Sequence, residues 1–411
     1  MKSLRIFGGN HLSGDVVING AKNSALPIIA ASLLCHESKI ENIPRITDVD
    51  KMINIINDIG CETNFTDDIL MVNSIELKKN NLTSSQVSDF RGSYYLMGAL
   101  INRFTSVVIA YPGGCDLGSR PIDFHLEGLK SLGVKVKEEN GRIILTKNVI
   151  KGTTINLPKP SVGATINLIL ASVKCKGETI VNNVAKEPEV IDVVKYLNNM
   201  GAKITWDSPR SIKVVGVKTL NNVSYKIKPD RIEAGTYAAL GAMFGKLTLK
   251  KVNVFDMERT LDVLEHIGCE VSYLNDILKI RRLHLKPIDL VSDVYPEFPT
   301  DLQQPFTTLL TMIGSSTVKD NIFKDRFSNC IDLKKMDAKI LLKDDKIHIS
   351  KSSLKGATVK AKDLRGGMSL VLAGLIADGI TIVENIEIIE RGYPDFVNKL
   401  IKLGAKLEII E

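Results

Sequence analysis

Cys115 lies in the segment PGGCDLGSRP, Pro112 to Pro121, between a pair of glycines and the basic residue Arg120. A thiol on such a loop can be partly exposed and shifted in acidity, which suits it to proton donation or covalent chemistry. Positive charge recurs elsewhere at regular places. Lys22, Arg91, Lys159, Arg231 and Arg365 each precede an apolar stretch, and Asp301 occupies the same place in a sixth. A second series, Arg45, Arg120, Lys186, Arg259, Arg326 and Arg391, precedes amphipathic stretches. Helix N-termini and cations both attract anions, so this pattern predicts a multiply charged ligand. Asp301 sits in TDLQQ, and taken alone that segment reads as a helix cap with a glutamine three residues later.

The elements that must hold these residues are repeats. The phrase DIGCET at Gly60 returns as SLGVKV at Gly133, NMGAKI at Gly201, HIGCEV at Gly268, KMDAKI at Asp337 and KLGAKL at Gly404. The spacing of 67 to 73 residues makes the chain six copies of one unit. Between the preceding strand and this phrase the second copy carries about five extra residues, and they fall in the Cys115 loop. Each copy contains an apolar helix such as VGATINLILASV, a strand, an amphipathic helix such as VIDVVKYLNNM, and further strands. A helix that is apolar nearly all round belongs inside. The expected fold is therefore α/β, with two similar domains, each of three βαβαββ-type repeats with buried helices inside. The expected boundaries are 21–228 for the domain carrying the Cys115 loop, and 229–411 plus 1–20 for the other. The ligand is expected in the cleft between them. In this scheme each copy opens with its own strand, such as Val16 to Ile18 or Tyr225 to Ile227, and Pro305 falls in the first turn of the fifth buried helix.

A chain of 411 residues that is 44% hydrophobic is long enough for two domains. The net charge of +7 suits anionic ligands, but no basic run interleaved with aromatics argues for nucleic acid. The six cysteines show no metal-ligand spacing; Cys35, Cys61, Cys175 and Cys269 fall in apolar contexts, which fits a reducing, cytoplasmic compartment. ALPIIAASLLC, Ala25 to Cys35, is too short to span a bilayer, so no membrane association is expected.

Ten segments in order resemble the UDP-N-acetylglucosamine 1-carboxyvinyltransferases, enolpyruvyl transferases of the EPSP synthase family. They are GAKNSALP, FRGSYYLMGALINR, PGGCDLGSRPIDFHLEGL, PSVGATINL, KEPEVID, DRIEAGT, FPTDLQQPF, IFKDRF, DLRGGMSLVLAG and ERGYPDF. The resemblance implies transfer of the enolpyruvyl group of phosphoenolpyruvate to the 3-hydroxyl of UDP-N-acetylglucosamine, the first committed step of peptidoglycan synthesis. It implies a cytoplasmic enzyme of cell-wall growth, cell shape and division, with two small-molecule substrates and no cofactor or metal.

The resemblance also implies roles. Cys115 is the proton donor, able to form an adduct with phosphoenolpyruvate, and the site of alkylation by fosfomycin; Asp301 is the general base. Lys22, Asn23, Arg120 and Arg391 hold phosphoenolpyruvate, with Lys22 and Arg391 counted in the catalytic set. Asn23, Arg91, Arg120, Pro121, Ile122, Asp123, Phe124, Lys159, Ser161, Val162, Gly163, Asp301 and Ile322 surround the UDP-sugar. Arg326 and Arg365 add positive field. His125 stands as either a structural residue or a proton relay. Two alternatives share much of this pattern: the 3-phosphoshikimate 1-carboxyvinyltransferase, and a weakly catalytic UDP-sugar-binding regulator.

Overall fold

Twenty-four strands pair into six four-stranded sheets in the computed structural model, which describes residues 2–111, 113, 122–323 and 326–411. Every sheet has the same plan. In the third copy, Thr154–Asn156 runs parallel to Glu178–Asn182, which pairs antiparallel with Ser211–Val215, and Lys203–Ser208 closes the edge. Asparagines tie the plan together at equivalent points. Asn42, Asn183 and Asn385 each donate a side-chain hydrogen bond to the carbonyl that follows the parallel edge strand: Ile227, Leu157 and Ala361.

The repeated phrase has a backbone cause. Gly60, Gly133, Gly201, Gly268 and Gly404 adopt φ of 89–109° where the outer helix ends and the next strand begins. Only residues tolerant of the left-handed region serve there. Asp337 fills the same place at φ 65°, which explains why the fifth copy can depart from glycine.

The described residues divide into two compact units, one spanning residues 20–228 and the other combining residues 2–19 with Pro229–Glu411. Each has its own apolar core around three inner helices. Lys22–Ser32, Tyr95–Leu100 and Val162–Ser172 fill the first. Arg231–Phe244, Thr300–Thr311 and Leu364–Ile376 fill the second. No helix among the described residues is long and apolar enough to cross a membrane.

Three local expectations are corrected. The strands expected to open the first and fourth copies serve other sheets: Asp15–Val17 lies parallel to Lys246–Lys250, and Val223–Lys226 lies parallel to Glu37–Glu41. Strand Ser3–Phe7 is inserted between Ile380–Glu384 and Lys406–Ile410, antiparallel to both. Lys22, Arg231, Asp301 and Arg365 lie within the first turns of the inner helices, not in the turns before them. The first helical N–H groups need no intrahelical acceptor, so polar residues are tolerated there. Pro305 is the sixth residue of its helix, beyond the first turn, and removes the N–H that would have reached the carbonyl of Asp301.

Candidate active site

In the unit spanning 20–228, the N-terminal ends of the three inner helices carry the polar groups. Lys22 is only 9% exposed, and its ammonium meets the buried carboxylate of Asp48 at 2.6 Å. Asn23 donates to Glu189, itself buried near the start of helix Pro188–Asn199. Burial, reinforced by Tyr94 and Glu189, pushes the Tyr95 hydroxyl well above its usual acidity range, and Arg91 opposes that shift. Arg91 opens the 3-10 turn Arg91–Tyr94, its guanidinium 5.7 Å from the Tyr94 ring centre. Lys159 lies 6.0 Å from the Phe124 ring centre, and Ser161 caps Val162–Ser172 by accepting from the Ala164 N–H.

His125 is 5% exposed and packs edge-on to Tyr94. Asn167 fixes its state. The amide oxygen of Asn167 accepts from the Gly98 N–H, so its nitrogen donates to the Tyr94 carbonyl and to His125 Nδ1 at 2.9 Å. That leaves the ring proton on Nε2. Burial first, then Arg91, pushes the His125 pKa down to about 3, so the ring stays neutral near neutrality. Of the two roles open to His125, the structure supports the structural one. Gly163 closes against this ring: an added Cβ would stand 2.9 Å from Tyr94 Oη and 3.0 Å from the imidazole.

In the other unit, Asp301 is the second residue of Thr300–Thr311, whose capping position is Pro299 with no side-chain cap. The capping reading of TDLQQ is therefore wrong. The carboxylate instead receives two buried guanidiniums, Arg326 Nη2 at 2.7 Å and Arg365 Nη2 at 3.4 Å. Both arginine side chains are 3% exposed and Asp301 is 27% exposed. Burial acts against the Arg365 charge, but Tyr393, Asp301 and Asp230 outweigh it and raise its pKa. Asp363 caps Leu364–Ile376 and also accepts from Gln304, so the fifth and sixth inner helices are locked together beside Asp301. Arg391 is half-buried in the turn before Phe396–Lys402.

Asn23 and Asp301 are structural equivalents. Each is the second residue of an inner helix with a proline four residues on, Pro27 and Pro305, so each loses the usual donor to its own carbonyl. One unit thus presents an amide at this place and the other a carboxylate. In the one unit a buried lysine can bind an anion, and in the other a carboxylate held by two buried arginines can accept a proton from a neutral hydroxyl.

The family model for EPSP synthase (3-phosphoshikimate 1-carboxyvinyltransferase) matches residues 6–400. The chain belongs to this family. It is 43% identical over 413 residues to UDP-N-acetylglucosamine 1-carboxyvinyltransferase 2 of Bacillus subtilis (strain 168), covering 99% of this chain and 96% of that protein. It is 41% identical to UDP-N-acetylglucosamine 1-carboxyvinyltransferase of Lactobacillus johnsonii (strain CNCM I-12250 / La1 / NCC 533), with both chains covered in full. The enolpyruvyl transferase NikO from Streptomyces tendae superposes with a TM-score of 0.92 over 99% of this chain and 98% of that one, at 24% identity. EPSP synthase from Acinetobacter baumannii gives 0.79 over the whole of both chains at 17% identity. These two likenesses bear on the fold, and the fold is the α/β enolpyruvyl transferase fold.

Within this EPSP synthase family member, the residues expected around the ligands fall into two groups. Lys22, Asn23, Arg91, Lys159, Ser161, Val162 and Gly163 gather at inner-helix starts of one unit; Ile122, Asp123 and Phe124 lead into helix Asp123–Ser131 of the same unit. Asp301, Ile322, Arg326, Arg365 and Arg391 belong to the other. Cys115, Arg120 and Pro121 lie outside the described residues. Arg45 and Arg259 serve elsewhere: Arg45 stacks on Phe65 and donates to the carbonyls of Phe65 and Asp67 in the hairpin of Glu62–Thr66 and Ile69–Asn73, and Arg259 pairs with Glu297 at the surface. Sequence reasoning assigned no role to Asp48, Glu189, Thr300 or Asp320. The signal available for Asp48 and Glu189 was an acidic residue in the first turn of an amphipathic helix, which also reads as ordinary dipole compensation.

Proposed function

We propose that the chain transfers the enolpyruvyl group of phosphoenolpyruvate to the 3-hydroxyl of UDP-N-acetylglucosamine, releasing phosphate, as the committing step of peptidoglycan synthesis in the cytoplasm. The observation that carries this reading is end-to-end identity of 41–43% to proteins of that name, beside a carboxylate gripped by two buried arginines. In the reaction an acid protonates the methylene carbon of phosphoenolpyruvate, and positive character develops at C2. The sugar oxygen bonds to C2 as a base removes its proton. The new methyl group then gives up a proton, the C2–O bond to phosphate breaks, and the enol double bond is restored.

We assign the acid to Cys115, which also serves as the site of the covalent adduct and of fosfomycin alkylation, and the base to Asp301. Lys22, Asn23, Arg120 and Arg391 hold the donor. The burial of Lys22 against Asp48 supports this, since a desolvated ammonium binds carboxylate or phosphate more strongly than one in water. Arg91, Arg120, residues 121–124, Lys159, residues 161–163, Asp301 and Ile322 receive the UDP-sugar, and Arg326 and Arg365 add positive field. Both units contribute residues to the one reaction, and the scheme requires neither cofactor nor metal.

The test is a phosphate-release assay with UDP-N-acetylglucosamine or shikimate 3-phosphate as acceptor. Release only with the UDP-sugar, lost after fosfomycin treatment and in Cys115→Ala, is the expected result. Release with shikimate 3-phosphate alone would overturn the substrate assignment, and full activity in Cys115→Ala would remove the thiol from its role.

A further inference from the structure

Asp320 ends strand Ser316–Asp320 and is 2% exposed, yet no part of the proposed chemistry uses it. One of its oxygens, Oδ1, accepts the backbone N–H groups of Ile322 at 2.8 Å and Phe323 at 2.9 Å, which shapes the turn at Ile322. The other, Oδ2, accepts the hydroxyl proton of Thr300, the residue before Asp301. A threonine hydroxyl has one proton, so Thr300 Oγ1 must meet its remaining neighbour as an acceptor, and it takes Arg326 Nη1 at 3.1 Å. Arg326 then reaches Asp301 through its other terminal nitrogen at 2.7 Å. The direction of every bond in this row is forced.

We propose that Asp320 is a positioning residue that couples the turn receiving the sugar nucleotide at Ile322 to the base Asp301, through Thr300 and Arg326. This rests on the function proposed above. A single buried carboxylate shapes the acceptor-binding backbone and, at the far end of the row, sets the rotamer of the guanidinium that aims the Asp301 oxygen. Displacing a catalytic group by a fraction of an ångström costs turnover far more than binding.

The test separates the two ends of the row by steady-state phosphate release on the intact chain. Thr300→Val keeps the Asp320 turn and cuts the row, so kcat should fall about 10-fold or more, a larger factor than any rise in the KM for UDP-N-acetylglucosamine. Thr300→Ser restores both the donor and the acceptor and should return kcat to within about 2-fold of the parent. Asp320→Asn can still accept the two backbone N–H groups but not the Thr300 proton; its amide must donate to Thr300 Oγ1 instead, so kcat should fall in the same direction as in Thr300→Val, by a smaller factor. It carries the test if the valine variant melts early. Asp320→Ala loses the turn as well, so the acceptor KM should rise in addition while the KM for phosphoenolpyruvate stays put. Parent kinetics in Thr300→Val and Asp320→Asn, or equal losses in the valine and serine variants, would overturn the coupling. A parent protein that releases no phosphate with either acceptor would instead sink the functional reading.

Discussion

His125 illustrates how burial, seconded by a neighbouring cation, decides what a titratable side chain can do. Its pKa lies near 3 in the folded chain against an ordinary 6.5, so the unfolded chain binds the extra proton. The stability it contributes is complete above pH 6.5 and is lost as pH falls towards 3. The loss is about 1.4 kcal/mol per pH unit, or about 2 kcal/mol at pH 5. Between pH 7.5 and pH 5 in urea melts the parent chain should lose about 2 kcal/mol more than His125→Gln; the same slope in both would refute it. At this scale the sequence was only partly legible. Lys22, Asp301 and the arginines stood out as charges before apolar stretches. Asp48, Glu189, Thr300 and Asp320 were hidden, because their importance lies in partners 20 to 166 residues away.

Among the elements, the inner helices bring the charged groups together by meeting at short range. Gly98 lets Tyr95–Leu100 approach Val162–Ser172 so closely that an added Cβ would stand 2.3 Å from the Asn167 carbonyl. Gly163 does the same at the expected UDP-sugar residues. Gly163→Ala should push aside His125 or Tyr94 and cost about 1–3 kcal/mol in chemical denaturation. It should also raise the KM for UDP-N-acetylglucosamine while leaving that for phosphoenolpyruvate nearly unchanged. An alanine variant with parent stability and kinetics would refute this. Helix existence and the sixfold plan were readable because the apolar runs and left-handed glycines repeat. The helix starts were misplaced by up to about a turn, since first-turn residues keep polar side chains that resemble loop.

For the molecule as a whole, strand exchange was the feature hardest to read. A three-residue strand such as Asp15–Val17 carries no mark of which sheet it will join. All the strands of the unit spanning 20–228 come from within that span, including Val223–Lys226. Its partner depends on two strands from residues 3–17. Expressed alone, residues 20–228 should unfold cooperatively in denaturant. Residues 229–411 alone should not, because one sheet lacks an inner strand and leaves unpaired edges inside it. Cooperative unfolding of 229–411 by itself would contradict this account.

Ser3–Phe7 has a further consequence during synthesis. A ribosome delivers this segment long before its neighbours at Ile380–Glu384 and Lys406–Ile410. Leu4 and Ile6, both fully buried in the folded chain, must wait solvated until those two strands have been made. The nascent chain therefore carries an unpaired apolar strand through the synthesis of nearly four hundred residues, a window in which such strands are prone to aggregate.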